Sequence, residues 1–237
     1  SMGPYRSLLP VLIDSIRMNA RAYDATETYG HVASQAYILQ ALGELLWASR
    51  GYALSERSEL VTIALTEIDE LRRSANRVVG GGPAFGLENA WDAFGDGDTN
   101  PAFTAYTWQS GMAALAVAKI ARYLVATQHP SAQEVWSFGA TLVRYWFPYY
   151  TAIDAGGWYW YSHQESDSIA VHNTSVLVAM AGQLLSEFGD DPELGARSRA
   201  CADFLWARMS GNPTIGYRWN YADDGLAAGR RRAEDVS

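Results

Sequence analysis

The chain has 237 residues, 49% apolar and 19% charged, long enough to bury a packed core and unlike either a disordered tail or a coiled coil. Its net charge of −8 argues against nucleic acid or an anionic membrane as partner, because phosphate contacts need clustered cations. The single cysteine, Cys201, excludes an internal disulfide and a Cys-rich zinc site, and no apolar run reaches the roughly 20 residues of a membrane span.

Apolar periodicity predicts an amphipathic helix over 4–22, carried by Leu8, Leu9, Leu12, Ile13 and Ile16. A second helix is expected from about Val32 to Trp47, and a third from Ser55, a good N-cap, through Leu60, Ile63, Ile68 and Leu71. A loop opens at Gly80-Gly81-Gly82-Pro83 and lasts to about Thr104. Helices are expected again at 105–127 and 131–147, broken at Pro130-Ser131. The stretch 148–168 is a loop crowded with Trp, Tyr and His, with Trp158 to Tyr161 as a rival strand. Two more helices are expected at 169–188 and 192–209, then a short strand at Tyr217 to Tyr221. The class is all-α.

The helices read as a faint repeat of hairpins. Polar pairs stand near the start of each first helix, Ser34-Gln35, Trp108-Gln109 and His172-Asn173, spaced by 74 and 64 residues. Each first helix is rich in Ala and Gly and apolar all round, as in Ala113-Ala114-Leu115-Ala116-Val117-Ala118, and a helix of that kind is normally buried on both sides. Each second helix is more polar, which fits inner helices covered by outer ones. Composition adds an emphasis: 9 Trp and 14 Tyr against 7 Phe, residues that pair an apolar face with a polar edge and recur where polar ligands such as sugars are held. Among the basic residues only Lys119 is a lysine, a bias of the kind that a GC-rich bacterial genome produces.

Consecutive hairpins, an aromatic-rich loop before each inner helix and polar residues at the inner-helix N-termini resemble an (α/α) toroid, the architecture of many carbohydrate-active enzymes. The resemblance is nearest to alginate-lyase-like polysaccharide lyases. Full toroids have five to seven hairpins. Three hairpins and a leading helix imply a partial or truncated toroid, a single domain over 1–237 lacking its C-terminal part.

Beta-elimination from a uronic acid needs a neutralised carboxylate, a base for the α-proton and an acid for the leaving oxygen. Lyases of the toroid type carry an adjacent Asn and His on an inner helix, followed several tens of residues later by an Arg and a Tyr. The resemblance therefore implies His172, Asn173, Arg218 and Tyr221 as the catalytic set. The His-Asn order is reversed relative to the family and the Arg-to-Tyr gap is shorter. In an extended strand residues 218 and 221 face opposite sides, so the set requires a turn at Trp219-Asn220. The bland alternative is that His172 and Asn173 only cap the following helix.

Four consecutive aromatics, Trp158 to Tyr161, followed by His163 and Glu165, fit either sugar stacking or a short strand with one face in the core. Candidate substrate contacts are Trp91, Tyr106, Trp108, Gln109, Trp158, Trp160, His163, Glu165 and Trp219. Asp96, Asp98 and Asn100 have the alternate spacing of hard oxygen ligands for calcium, and a metal-free loop of Asx turns explains the same letters. Otherwise no cofactor is expected.

The leading expectation is a lyase acting on a uronate-containing oligo- or polysaccharide. Glycoside hydrolysis or uronyl C5-epimerisation on the same scaffold is the alternative, hydrolysis drawing two carboxylates from Glu27, Glu88, Asp92, Glu165, Asp167 and Glu234. A non-catalytic glycan-binding protein needs the same aromatic platform. A terpenoid cyclase is more remote, since Asp223-Asp224 is a meagre acid motif. The opening Ser-Met-Gly reads as a cloning remnant, and a secreted or periplasmic location is the expectation if a signal peptide was removed ahead of it.

Overall fold

The computed structural model describes residues 9–22, 31–75, 77–154, 156–212, 216–218 and 222–223. Seven α-helices dominate the described residues: α1 (Leu9–Ala22), α2 (His31–Ser49), α3 (Arg57–Ser74), α4 (Thr107–Ala126), α5 (Ala132–Arg144), α6 (His172–Phe188) and α7 (Pro192–Ala207). Short strands fill the connections: β1 (Tyr150–Ile153), β2 (Gly156–Tyr159), β3 (Ala170–Val171), β4 (Ser210–Asn212), β5 (Gly216–Arg218) and β6 (Ala222–Asp223). The protein is mainly helical, in line with the all-α expectation. Among the described residues no helix is long and apolar enough to cross a membrane.

Helix α4 organises the rest. Its Ala-rich sequence favours helix intrinsically, and as far as Leu124 it is buried nearly all round, with Trp108, Lys119 and Arg122 partly exposed on one face. Helix α2 packs on one side of it and α6 on the other, while α3, α5 and α7 lie against α2, α4 and α6 in turn. The alternation of inner and outer helices follows from the difference in polarity along the sequence. Close packing between α4 and α6 needs a small residue: a Cβ on Gly111 would stand 2.8 Å from the Cβ of Leu177.

At their C-terminal ends the inner helices converge. The ring of Trp47 on α2 meets Phe188 on α6 edge-on at 5.6 Å, and the guanidinium of Arg122 on α4 lies 4.3 Å from the Trp47 centroid. Lys119 and Arg122 reach Glu44 at 3.0 and 3.3 Å. Cations suit this end, because the carbonyls of a helix C-terminus carry partial negative charge. Burial pushes the Glu44 carboxyl up, but Lys119 and Arg122 prevail and hold it below its ordinary value.

Several boundaries differ from the periodicity reading, each for a local reason. Helix α4 begins at Thr107 because Ala105 and Tyr106 are engaged in bridges to Gly86 and Ser162. Helix α5 ends at Arg144, and a 3-10 turn over Phe147–Tyr149 containing Pro148 follows. Helix α6 begins at His172 because Ala170 and Val171 pair antiparallel with Asp223 and Ala222. The loop 148–168 holds the hairpin β1–β2, in which Tyr150 pairs with Tyr159 and Ile153 with Gly156. The predicted start of α7 is met in full: the Asp191 carboxylate accepts from the N–H groups of Glu193 and Leu194 and binds Arg144 at the end of α5.

Candidate functional site

A cleft of about 440 Å³ opens at the N-terminal end of the inner helices. Helix α2 contributes Tyr37 and Gln40, α4 contributes Trp108 and Met112, and α6 contributes Asn173, Thr174 and Leu177. Two loop residues, Trp91 and Tyr161, complete the wall. Apart from the two tyrosines, none of these described lining residues is ionisable. Aromatic faces, an apolar floor of Met112 and Leu177, and the amides of Gln40 and Asn173 make a surface suited to a ligand with alternating C–H faces and hydroxyl edges.

The aromatic wall is a packed cluster. Trp91 meets Tyr106 at 5.2 Å and Tyr161 at 6.2 Å, and Tyr161 in turn meets Tyr106 at 5.6 Å and Phe94 at 5.1 Å. Trp91 is held by reciprocal backbone hydrogen bonds with Asn100 of 3.0 and 2.9 Å. Tyr161 is held because its carbonyl accepts from both the N–H and the hydroxyl of Thr107, each at 2.9 Å, at the first residue of α4. The Asp92 carboxylate accepts from the N–H groups of Gly97, Asp96 and Phe94, and these bonds keep its pKa below the usual value.

The sequence-predicted residues distribute unevenly around this cleft. Trp91, Trp108 and Asn173 line it. His172 does not accompany Asn173: adjacent helical residues point about 100° apart, and the His172 ring is buried edge-on against Phe204 of α7 at 5.9 Å. Tyr106 and Gln109 are each 1% exposed and lie in the core. Trp158 is core as well, its ring 5.0 Å from Phe204 and its indole N–H donating to the Ser168 carbonyl. The run of four aromatics thus does not alternate between core and groove. Trp158, Tyr159 and Tyr161 are all buried because the hairpin ends at Tyr159 and the chain turns to bridge α4.

Trp160 and His163 form a separate cluster with Tyr145 and Tyr149. The Tyr145 hydroxyl and His163 Nδ1 share a 2.8 Å hydrogen bond, and the indole of Trp160 donates to the Thr151 hydroxyl. Glu165 is exposed on a 3-10 turn. Arg218 stands in β5 opposite Ser210, while Trp219 and Tyr221 lie outside the described residues, as do Glu27 and Glu234. Ala222, the chain neighbour of Tyr221, pairs with Val171, the chain neighbour of His172.

The loop read as a calcium candidate is occupied with its own hydrogen bonds. The Asp96 carboxylate accepts from the Asp98 N–H, and the Asn100 amide turns away to Asp167 at 2.5 Å. Among the described residues there is no group of three or more His, Cys, Asp or Glu arranged for a metal ion.

Tyr37 and Gln40 are not among the sequence-predicted site residues. The cleft position is the second residue of α4 and of α6 but the seventh of α2, which begins more than a turn earlier. Aligning Ser34-Gln35 with Trp108-Gln109 therefore set the repeat about one turn out of register. An aromatic and an amide at helical spacing on one face, Tyr37 and Gln40, are the signal that the sequence offers.

Burial holds His163 below its ordinary pKa of 6.5. In the unfolded chain this imidazole takes up a proton as pH falls through about 6.5, while the folded one resists, so its contribution to stability is present above that pH and is lost below it. His163→Gln is expected to flatten the loss of thermal stability between pH of about 7.5 and about 5.5, measured by thermal unfolding at both. An unchanged slope would contradict this.

No protein-family model, curated protein or solved structure matches the chain.

Proposed function

We propose that the protein is a carbohydrate-active enzyme built as a partial (α/α) toroid, that the cleft between α2, α4 and α6 seats a sugar ring, and that its reaction is β-elimination on a uronate-containing glycan. The observation that carries the reading is the cleft itself: aromatic faces and side-chain amides converge at the N-termini of α4 and α6. Stacking on the rings supplies about 1 kcal/mol each. The positive end of the α6 helix dipole, with the Asn173 amide, suits a carboxylate without an added cation.

In the elimination a base takes the proton α to the carboxylate and that electron pair becomes the new ring double bond. The glycosidic C–O bond breaks and its oxygen takes a proton from an acid, so no water is consumed. Support for acid–base residues arriving from the C-terminal segment is the pairing of β6 with β3, next to the start of α6. Hydrolysis by paired carboxylates has less support, because no carboxylate is found among the described lining residues.

Incubation with alginate, glucuronan and a glycosaminoglycan tests the proposal. The expected product absorbs in the ultraviolet through its conjugated double bond and has a mass without added water. No absorbance rise with any of the three overturns elimination, and a gain of one water per cut assigns hydrolysis instead. The uncharged lining favours a second reading, glycan binding without turnover, which calorimetry showing binding but no product would establish. Under either reading the dissociation constant should change less than about threefold between about 0.05 and 0.5 M salt, since uncharged donors are hardly screened. A change of tenfold or more would mean that cations such as Arg218 dominate.

A further inference from the structure

We infer that Asp167 is a positioning residue for the cleft, a buried carboxylate that ties the Trp91 loop to the Tyr161 loop; this rests on the reading of the cleft as a saccharide site. Asp167 is 3% exposed, an unusual place for a carboxylate unless it is fully engaged. Its Oδ2 accepts from the Asn100 amide at 2.5 Å and from the Ser162 hydroxyl at 2.7 Å. Its backbone carbonyl accepts from the Tyr161 N–H at 3.0 Å. Asn100 is the residue whose backbone pairs in both directions with Trp91, and Ser162 follows Tyr161 directly. One carboxylate therefore fixes both loop-borne rings of the cleft wall, which otherwise belong to segments more than sixty residues apart. Two side-chain donors converging on one carboxylate oxygen, from Asn100 and from Ser162, suit a latch between two loops.

Asp167 does not itself line the cleft, so its effect on a ligand runs through Trp91 and Tyr161. That route distinguishes positioning from general stabilisation in a double-mutant cycle with alginate hexasaccharide and cellohexaose as probes. Asp167→Ala and Trp91→Ala are each expected to raise the dissociation constant about tenfold, and the double variant to fall clearly short of the roughly hundredfold loss of additive effects, any loss beyond that of Trp91→Ala being the share that runs through Tyr161. Asp167→Asn, which keeps an acceptor oxygen in place, is expected to recover most of the affinity. Fully additive losses, or an Asp167→Ala protein that binds as the wild type does, would overturn the inference.

Hydrogen–deuterium exchange without any sugar supplies the ligand-independent arm. Asp167→Ala should raise exchange in 91–100 and 160–164 while leaving α4 and α5 protected. Failure of the wild type to bind either probe would count against the saccharide reading alone, and the latch would then stand or fall on the exchange result. Unchanged exchange in both loops overturns it.

Discussion

Replacing Asn173 by leucine is expected to lower turnover on a uronate glycan by about 100-fold or more while leaving the melting temperature within about a degree of wild type. Asn173 is the second residue of α6, exposed on the cleft, with its amide among the few polar groups of the lining. A donor aimed at charge that develops in the transition state is worth far more than one on a resting ligand, and this sets the size of the expected loss. Leucine matches the shape and removes the donor. Asn173→Asp separates function from folding. A carboxylate in the first turn of a helix is favourable by a few tenths of a kcal/mol, so this variant should melt no lower than wild type. It should nevertheless lose turnover at least as severely, because it repels the substrate carboxylate. Steady-state kinetics beside thermal unfolding gives both readouts, and full turnover in Asn173→Leu would remove Asn173 from the reaction.

The second large effect concerns the support of the cleft. Gly156 opens β2 at φ 118°, a conformation that L side chains rarely adopt, and an added Cβ would stand 2.1 Å from the Ala200 carbonyl oxygen on α7. Backbone strain costs of order 1–3 kcal/mol and overpacking against backbone costs a similar amount, so Gly156→Ala is expected to destabilise by about 3 kcal/mol or more. For a chain of this size that lowers the melting temperature by about 6–12 °C. The hairpin moved off α7 is the one that leads into Trp160 and Tyr161, so glycan affinity should fall together with stability. Gly51→Ala is the control, since nothing lies within 4 Å of its added Cβ, and it should be neutral in both measurements. A melting temperature for Gly156→Ala within 2 °C of wild type would contradict the strain argument.

The helices were legible because their apolar residues recur at three and four, and α4 was recognisable as an inner helix from its Ala-rich, all-round apolar composition. The small strands were mostly not legible. β3 and β6 are two residues each, too short for alternation to register, yet their pairing decides where α6 begins. Trp108 and Asn173 could be picked out because they are polar or aromatic residues at inner-helix starts, and Trp91 because its loop leads into α4. The His172-Asn173 pair shows the limit of that reasoning. Two adjacent polar residues at a helix start are visible in the sequence, but which one faces the cleft depends on rotation about the helix axis, and that is set by packing against Phe204. Tyr37 and Gln40 escaped for the related reason that α2 extends further than α4 and α6 before it reaches the cleft. From the sequence alone Asp167 is one of six candidate catalytic carboxylates, and its burial against Asn100 and Ser162 turns it into a structural tie.

A crystal of the protein soaked with an alginate oligosaccharide tests the seat of the ligand most directly. A sugar ring stacked on Trp108 at about 4 Å, with the Asn173 amide donating to it, is the expected result. A ring bound instead at the Tyr149–Trp160 cluster, or a cleft left empty at saturating oligosaccharide, would contradict it.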